Sequence, residues 1–186
     1  ISLPIQAARP DIHLFGLDFS HIYCQHYAVN VQSPVVCGSV YDLPFANHFV
    51  DGIVAITALM YISTSQQEIV FSHLTQLLKP GGYALFIDPG LEYLKTVSLY
   101  TRSQSSTSGQ GFKKDIYLKM GATETTRVVQ SGGCPVFSVF MPLLYAFANN
   151  QRTIKKLLEI IRAWENRVGM HHRYVLHRWM LVERIG

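Results

Sequence analysis

Between Gly52 and Asp88 the chain spells out a strand, a helix and a second strand, and this stretch most narrows what it can become. Gly52–Leu59 is a continuous run of β-branched and small residues, the pattern of a strand buried on both faces of a parallel sheet. Ser65-Gln66-Gln67-Glu68 has capping-box spacing, which predicts a helix start satisfied by the Ser and Glu side chains. Ile69, Val70, Leu74, Leu77 and Leu78 continue at helical spacing, and Pro80-Gly81-Gly82 ends the helix. Tyr83–Ile87 is the next strand, closed by Asp88-Pro89. A helix linking two such strands predicts a right-handed crossover and a doubly wound α/β sheet.

The upstream sequence repeats this alternation. Residues 1–10 read as the end of a helix, and Pro10 precedes a strand at His13–Leu17. Ser20 is placed to cap a helix reaching about Asn30, with Ile22, Tyr23, His26 and Tyr27 sharing a face. Pro34 opens a short apolar strand, Val35–Cys37. An acid closing a strand, as Asp18 does, is well placed to hold the hydroxyls of a nucleoside ribose.

Beyond Gly90 the pattern loosens. Leu91–Thr101 reads as a helix, Ser103–Gly111 as a polar loop and Ser131-Gly132-Gly133 as a second breaker. Cys134–Ala148 is almost wholly apolar, but it contains Pro142 and is too short to span a bilayer. Arg152–Val168 is amphipathic, with Ile154, Leu157, Leu158, Ile161, Trp164 and Val168 on one stripe, and Tyr174–Arg184 reads as a closing strand. There is no internal repeat.

With 186 residues, 48% apolar and only 15% charged, the chain can bury a sizeable core as one domain. The net charge of +4 divides unevenly: residues 1–90 carry two basic side chains against six acidic, and residues 91–186 fourteen against six. These charges read as the solvated faces of C-terminal helices, or as a basic half that attracts an acidic substrate or an anionic membrane surface. With no block of five like charges, nucleic acid is not favoured. Cys24, Cys37 and Cys134 are scattered without a C-x-x-C pair, which points to a reducing, cytoplasmic setting and away from a disulfide framework or zinc site. The chain starts at Ile1 without a basic-plus-apolar leader, as a processed chain or a fragment would.

Three segments in order, Gly16-Leu17-Asp18-Phe19-Ser20, Gly38-Ser39-Val40-Tyr41-Asp42-Leu43-Pro44-Phe45 and Lys79-Pro80-Gly81-Gly82, resemble the class I S-adenosylmethionine-dependent methyltransferases, the small-molecule type with a Leu-Pro-Phe motif. Asp51 and Leu59 also keep the family's spacing after Phe45. The resemblance implies a Rossmann-like doubly wound sheet, mostly parallel, with an antiparallel C-terminal strand, and S-adenosylmethionine as cofactor. It implies that Asp18, beside Phe19, accepts the ribose hydroxyls, that Ser39 and Val40 meet the adenine, and that Ala55 and Ile56 line the methionine side. Ser39 stands where the family has Asp, exchanging a charge-assisted bond for a neutral one. Met60-Tyr61 stands where a His pair is common.

In this family a strand, an acid and a G-x-G-x-G loop precede the ribose acid by roughly 20 residues, whereas here Gly16 is the first glycine. The expectation is an N-terminally incomplete domain with unpaired strand edges and weak cofactor binding. Within it, residues 1–90 form the cofactor-side units, 91–150 a substrate-covering insertion and 151–186 the last helix and strand. The expected acceptor is a small molecule of lipophilic or acidic character, and Cys134–Ala148 reads as core packed on the sheet, as an apolar pocket for that acceptor, or as a segment resting on a lipid surface. No catalytic base follows from the resemblance; His171, His172, Tyr174 and Glu92 are candidates by position. His171-His172 and His177 make no metal site, since no acid completes the set. A non-catalytic methyltransferase-like scaffold or partner subunit is the alternative. A nicotinamide dehydrogenase would leave the Leu-Pro-Phe segment unexplained. The oligomeric state is open.

Overall fold

The computed structural model describes residues 2–90, 112–135, 150–168 and 175–186, and these fall into two compact units, Ile1–Ala46 and Asn47–Gly186. The expected helix at Leu91–Thr101, the loop at Ser103–Gly111 and most of Cys134–Ala148 lie outside the described residues.

The first unit contains α1 (Ser2–Ala8), β1 (Gly16–Asp18), α2 (His21–Val31) and β2 (Val35–Cys37). β1 and β2 pair in parallel, with Gly16 opposite Val35 and Asp18 opposite Cys37. β1 is shorter than the expected His13–Leu17. Gly16 donates to the Pro34 carbonyl at 2.9 Å, but Pro34 has no N–H with which to extend the ladder. Ser20 is the α2 N-cap, its side chain accepting from the Tyr23 amide at 3.5 Å. The buried face of α2 is not the expected one: Cys24 and Val31 are buried, while Ile22 and Tyr23 are 64% and 66% exposed. The stripe Cys24–Tyr27–Val31 is the one packed on the two strands. The Tyr27 ring lies close against Gly16, where a Cβ would come within 3.2 Å of it. Phe45 of the Leu-Pro-Phe motif packs against Phe15 with the rings tilted at 51° and their centroids 5.3 Å apart.

The second unit holds β3 (Val50–Ile56), a 3-10 turn (Leu59–Tyr61), α3 (Gln67–Gln76), β4 (Leu78–Pro89), α4 (Lys114–Gly121), β5 (Thr126–Pro135), α5 (Gln151–Val168) and β6 (Val175–Arg184). The strands form a mixed sheet in the order β3-β4-β6-β5. β3 and β4 run parallel, whereas β6 is antiparallel to both β4 and β5. This is the expected α/β architecture with an antiparallel C-terminal strand. Alternation along β4 sends Ala84, Phe86 and Asp88 into the core with Met180 and Val182 of β6. Phe71 of α3 packs its ring 4.8 Å from Phe86. Together these place a parallel pair beside a covered antiparallel sheet.

Several local expectations give way to tertiary structure. β3 is not buried on both faces: it packs mainly against β4, and Val54 is 50% exposed. The capping box does not form. α3 begins at Gln67 behind Gln66, which makes no side-chain cap, and the Gln66 and Gln67 amides bond the Ser63 carbonyl at 2.8 and 3.1 Å instead. Gln67 is buried because its side-chain amide donates to the Leu59 and Ile62 carbonyls at 3.4 and 3.2 Å. α3 ends at Gln76, and Leu78 already belongs to β4, whose register jumps across Lys79–Gly82 between Val50 and Gly52 of its neighbour. Ser131-Gly132-Gly133 does not break the chain either. It lies inside β5, where the two glycines face Trp179 and Arg178, and a missing side chain there leaves room for large partners.

Candidate functional site

The carboxyl ends of parallel strands are where α/β sheets bind ligands, because the chain turns away there and leaves backbone groups facing outward. In the first unit that edge is built from Asp18 and the residues after β2. The Gly38 amide donates to the Asp18 carbonyl at 3.0 Å, so the ribose acid expected from sequence and the Gly38-Ser39-Val40 segment come together. Asp18 is half-buried, and its Oδ1 accepts from the Ser20 amide at 2.8 Å, so one oxygen also anchors the start of α2. Its Oδ2 takes no hydrogen bond among the described residues. Beside it, the Phe19 ring is 80% exposed. Ser39 is exposed, and its Oγ accepts from the Tyr41 amide at 3.2 Å; Val40 is half-buried. A half-free carboxylate beside an exposed flat ring fits a nucleoside: the acid accepts hydroxyl donors and the ring covers a base.

In the second unit, Ala55 and Ile56 sit half-buried at the carboxyl end of β3. The next residue, Thr57, has φ 52, a left-handed conformation unusual for a β-branched side chain. It is held there by its amide, which donates to the Ile87 carbonyl at 2.7 Å.

The same edge contains Asp88, which the sequence marks only as the close of a strand. Asp88 is wholly buried at the end of β4, accepting from the Met60 amide at 3.1 Å and the Tyr117 hydroxyl at 3.2 Å. Burial pushes its carboxyl up to about 6, although the Met60, Tyr117 and Leu59 hydrogen bonds pull the other way. The Tyr117 phenol is raised well above its ordinary range by burial and by the adjacent carboxylate. Arg178 lies directly across from Asp88 on β6, and its Nε donates to the Phe112 carbonyl at 3.1 Å. His177 is half-buried opposite Pro89, and burial lowers its basicity. Asp88 thus ties β4, the 3-10 turn and α4 together at the strand end. Its sequence signal was an acid directly after an apolar strand; Tyr117, 29 residues away, had none.

His171, His172, Tyr174 and Glu92 lie outside the described residues. Among the described residues no group of three His, Cys, Asp or Glu side chains is gathered to hold a metal, and no helix is long and apolar enough to cross a membrane.

Residues 3–86 match the family model described as a methyltransferase domain. No curated protein sequence matches the chain. Solved structures match at the level of fold. A chain from the complex of the Haloferax volcanii Trm112 methyltransferase activator superposes with a TM-score of 0.67 and 16% identity, over 100% of this chain and 79% of that one. The geranyl diphosphate C-methyltransferase of Streptomyces coelicolor, solved with Mg2+, geranyl diphosphate and S-adenosyl-L-homocysteine, gives 0.62 at 13% identity over 97% and 67%. A SAM-dependent methyltransferase of Methanosarcina mazei gives 0.62 at 11% identity over 98% and 86%.

Proposed function

We propose that this chain, whose residues 3–86 match the methyltransferase-domain family model and whose fold resembles that of solved methyltransferases, serves in S-adenosylmethionine-dependent methyl transfer to a small molecule. The observation that carries this reading is the meeting of Asp18, with one unbonded carboxylate oxygen, and the Gly38-Ser39-Val40 segment at one strand edge. Asp18 accepts the ribose hydroxyls through Oδ2 and the remaining lone pair of Oδ1. Phe19 covers the base, Ser39 accepts from its amino group and Val40 gives it an apolar wall. Ala55 and Ile56 are the residues proposed for the methionine side. The cofactor supplies an electrophilic methyl group when bound; the protein aligns the acceptor and excludes water.

Asp88 is a positioning residue in this scheme. It is sealed from solvent and holds the Leu59–Tyr61 turn, which follows Ala55 and Ile56, against β4 and α4. The acceptor we favour is small, with lipophilic or acidic character, and the setting cytoplasmic. The basic C-terminal half and the apolar Cys134–Ala148 segment support that class, and geranyl diphosphate, the ligand of one structural neighbour, is both apolar and anionic. Contact of the same segment with a lipid surface belongs to this proposal too.

Titration with S-adenosyl-L-homocysteine tests the reading. Asp18→Asn keeps the anchor to Ser20 but loses the charge, and the expected result is at least about a tenfold rise in Kd, since a bond to a charged acceptor contributes about 1.5–3 kcal/mol. An unchanged Kd overturns the assignment of Asp18. A non-catalytic partner module is the second reading, favoured by neutral Ser39 in place of an acid and by the likeness to a chain solved in complex with an activator.

A further inference from the structure

Cys24 and Cys37 stand thirteen positions apart in sequence, yet their thiols reach the consecutive carbonyls of Asp18 and Phe19. Cys24, on the first turn of α2, is buried, and its Sγ lies 3.3 Å from the Asp18 carbonyl and 3.7 Å from the Val36 carbonyl. Cys37 ends β2 directly opposite Asp18 in the register, and its Sγ donates to the Phe19 carbonyl at 3.6 Å. Consecutive carbonyls thus take one thiol each. Burial first, and then the neighbouring Cys37 side chain, push the Cys24 thiol up. Their exposure is opposite: Cys37 is open to solvent and Cys24 is 5% exposed.

We propose that Cys24 and Cys37 form a reversible dithiol–disulfide pair, oxidised by hydrogen peroxide and bracketing Asp18. The division of labour follows from exposure. The accessible Cys37, as thiolate, attacks one peroxide oxygen; the O–O bond breaks, the departing hydroxide takes a proton to become water, and Cys37 becomes a sulfenic acid. The Cys24 sulfur then attacks the Cys37 sulfur, the S–O bond breaks, and the Cys24 proton leaves with the hydroxide as a second water. Two thiols are oxidised by two electrons, one peroxide is reduced to two waters, and a dithiol reductant reverses the change. The bond would join the first turn of α2 to the end of β2 across the strand end that carries Asp18. Its bearing on cofactor binding rests on the ribose reading of that acid, but its formation does not.

The test is peptide mapping of the intact chain after brief treatment with a several-fold molar excess of hydrogen peroxide and alkylation of the remaining thiols. Chymotrypsin is the suitable protease: it cuts after Tyr27, between the two cysteines, whereas no Lys or Arg lies between Arg9 and Lys79. The expected product is a Cys24–Cys37 linked peptide pair, two hydrogens lighter than the sum of its parts and lost on dithiothreitol treatment. In Cys24→Ser, Cys37 should go on to sulfinic acid under the same dose. Recovery of wild-type Cys24 as the alkylated thiol beside a Cys37 sulfinic acid, or Cys37 linked to Cys134 or to a second chain, overturns the proposal. The wild-type map needs no variant to fold. It also reads sulfur chemistry alone, so its failure is distinct from a failure of the Asp18 titration.

Discussion

Asp88 shows what a single residue can impose once the fold has enclosed it. Because burial raises its carboxyl from the ordinary 3.8 to about 6, the native state holds this proton more tightly than the unfolded chain does. The sign follows directly: the contribution to stability is fullest below about pH 4 and is lost as pH rises through about 6, a change of about 3 kcal/mol across the window. His177, whose basicity burial lowers, contributes the opposite slope, with stability lost as pH falls below its unfolded value. Asp88→Asn keeps an acceptor for the Met60 amide but cannot ionise. Denaturant midpoints from pH 4 to 8 should show that this variant loses the decline assigned to Asp88, its advantage over wild type growing with pH; identical profiles would refute the assignment. Tyr117→Phe deletes one bond to a buried carboxyl and should cost about 1–3 kcal/mol at pH 7.

At the scale of elements, the turn into β4 is governed by backbone crowding rather than by helix stopping alone. Lys79-Pro80-Gly81-Gly82 reads in sequence as the end of α3, and α3 does end before it, at Gln76. Gly81 takes φ 78, and a Cβ on Gly82 would lie 2.9 Å from the Lys79 carbonyl oxygen and 3.0 Å from that of Asp51. Both neighbours are backbone, so neither can swing aside. Gly82→Ala should therefore destabilise the second unit by about 1–3 kcal/mol in chemical denaturation, in contrast to the mild gain that alanine brings at an uncrowded glycine. Periodicity located α2, α3 and α5, and their termini agree with the structure to within two or three residues. It misjudged which face of α2 is buried. Ile22 and Tyr23 look like core residues by type, but the strands lie under Cys24 and Val31. The expected Ser65–Glu68 cap lost to a competing acceptor, the Ser63 carbonyl.

At the scale of the molecule, the two units differ in how much they enclose. Among the described residues of Ile1–Ala46 only Cys24 and Val31 are buried apolar side chains, while Phe86, Phe71, Leu59, Met180 and Val182 of the second unit are sealed from solvent. A 46-residue unit with so small a core is held by little hydrophobic free energy. Native-state hydrogen exchange should show the amides of β1 and β2 exchanging at least about tenfold faster than those of β4 and β6. Equal protection in both would show a single cooperative unit.

Sequence alone determined the order of strands and helices from residue 2 to 90, the closing strand, and the placing of Asp18 directly at the end of a strand. Those features rest on short-range physics: side-chain period, proline and glycine geometry, and an acid following a strand. Tertiary structure decided the rest. It placed Gly132-Gly133 in β5 opposite Trp179 and Arg178, buried Asp88 under Tyr117, and brought the seemingly scattered Cys24 and Cys37 to adjacent carbonyls. Each of these depends on which distant segments pack side by side, and strand register, not local pattern, sets that distance.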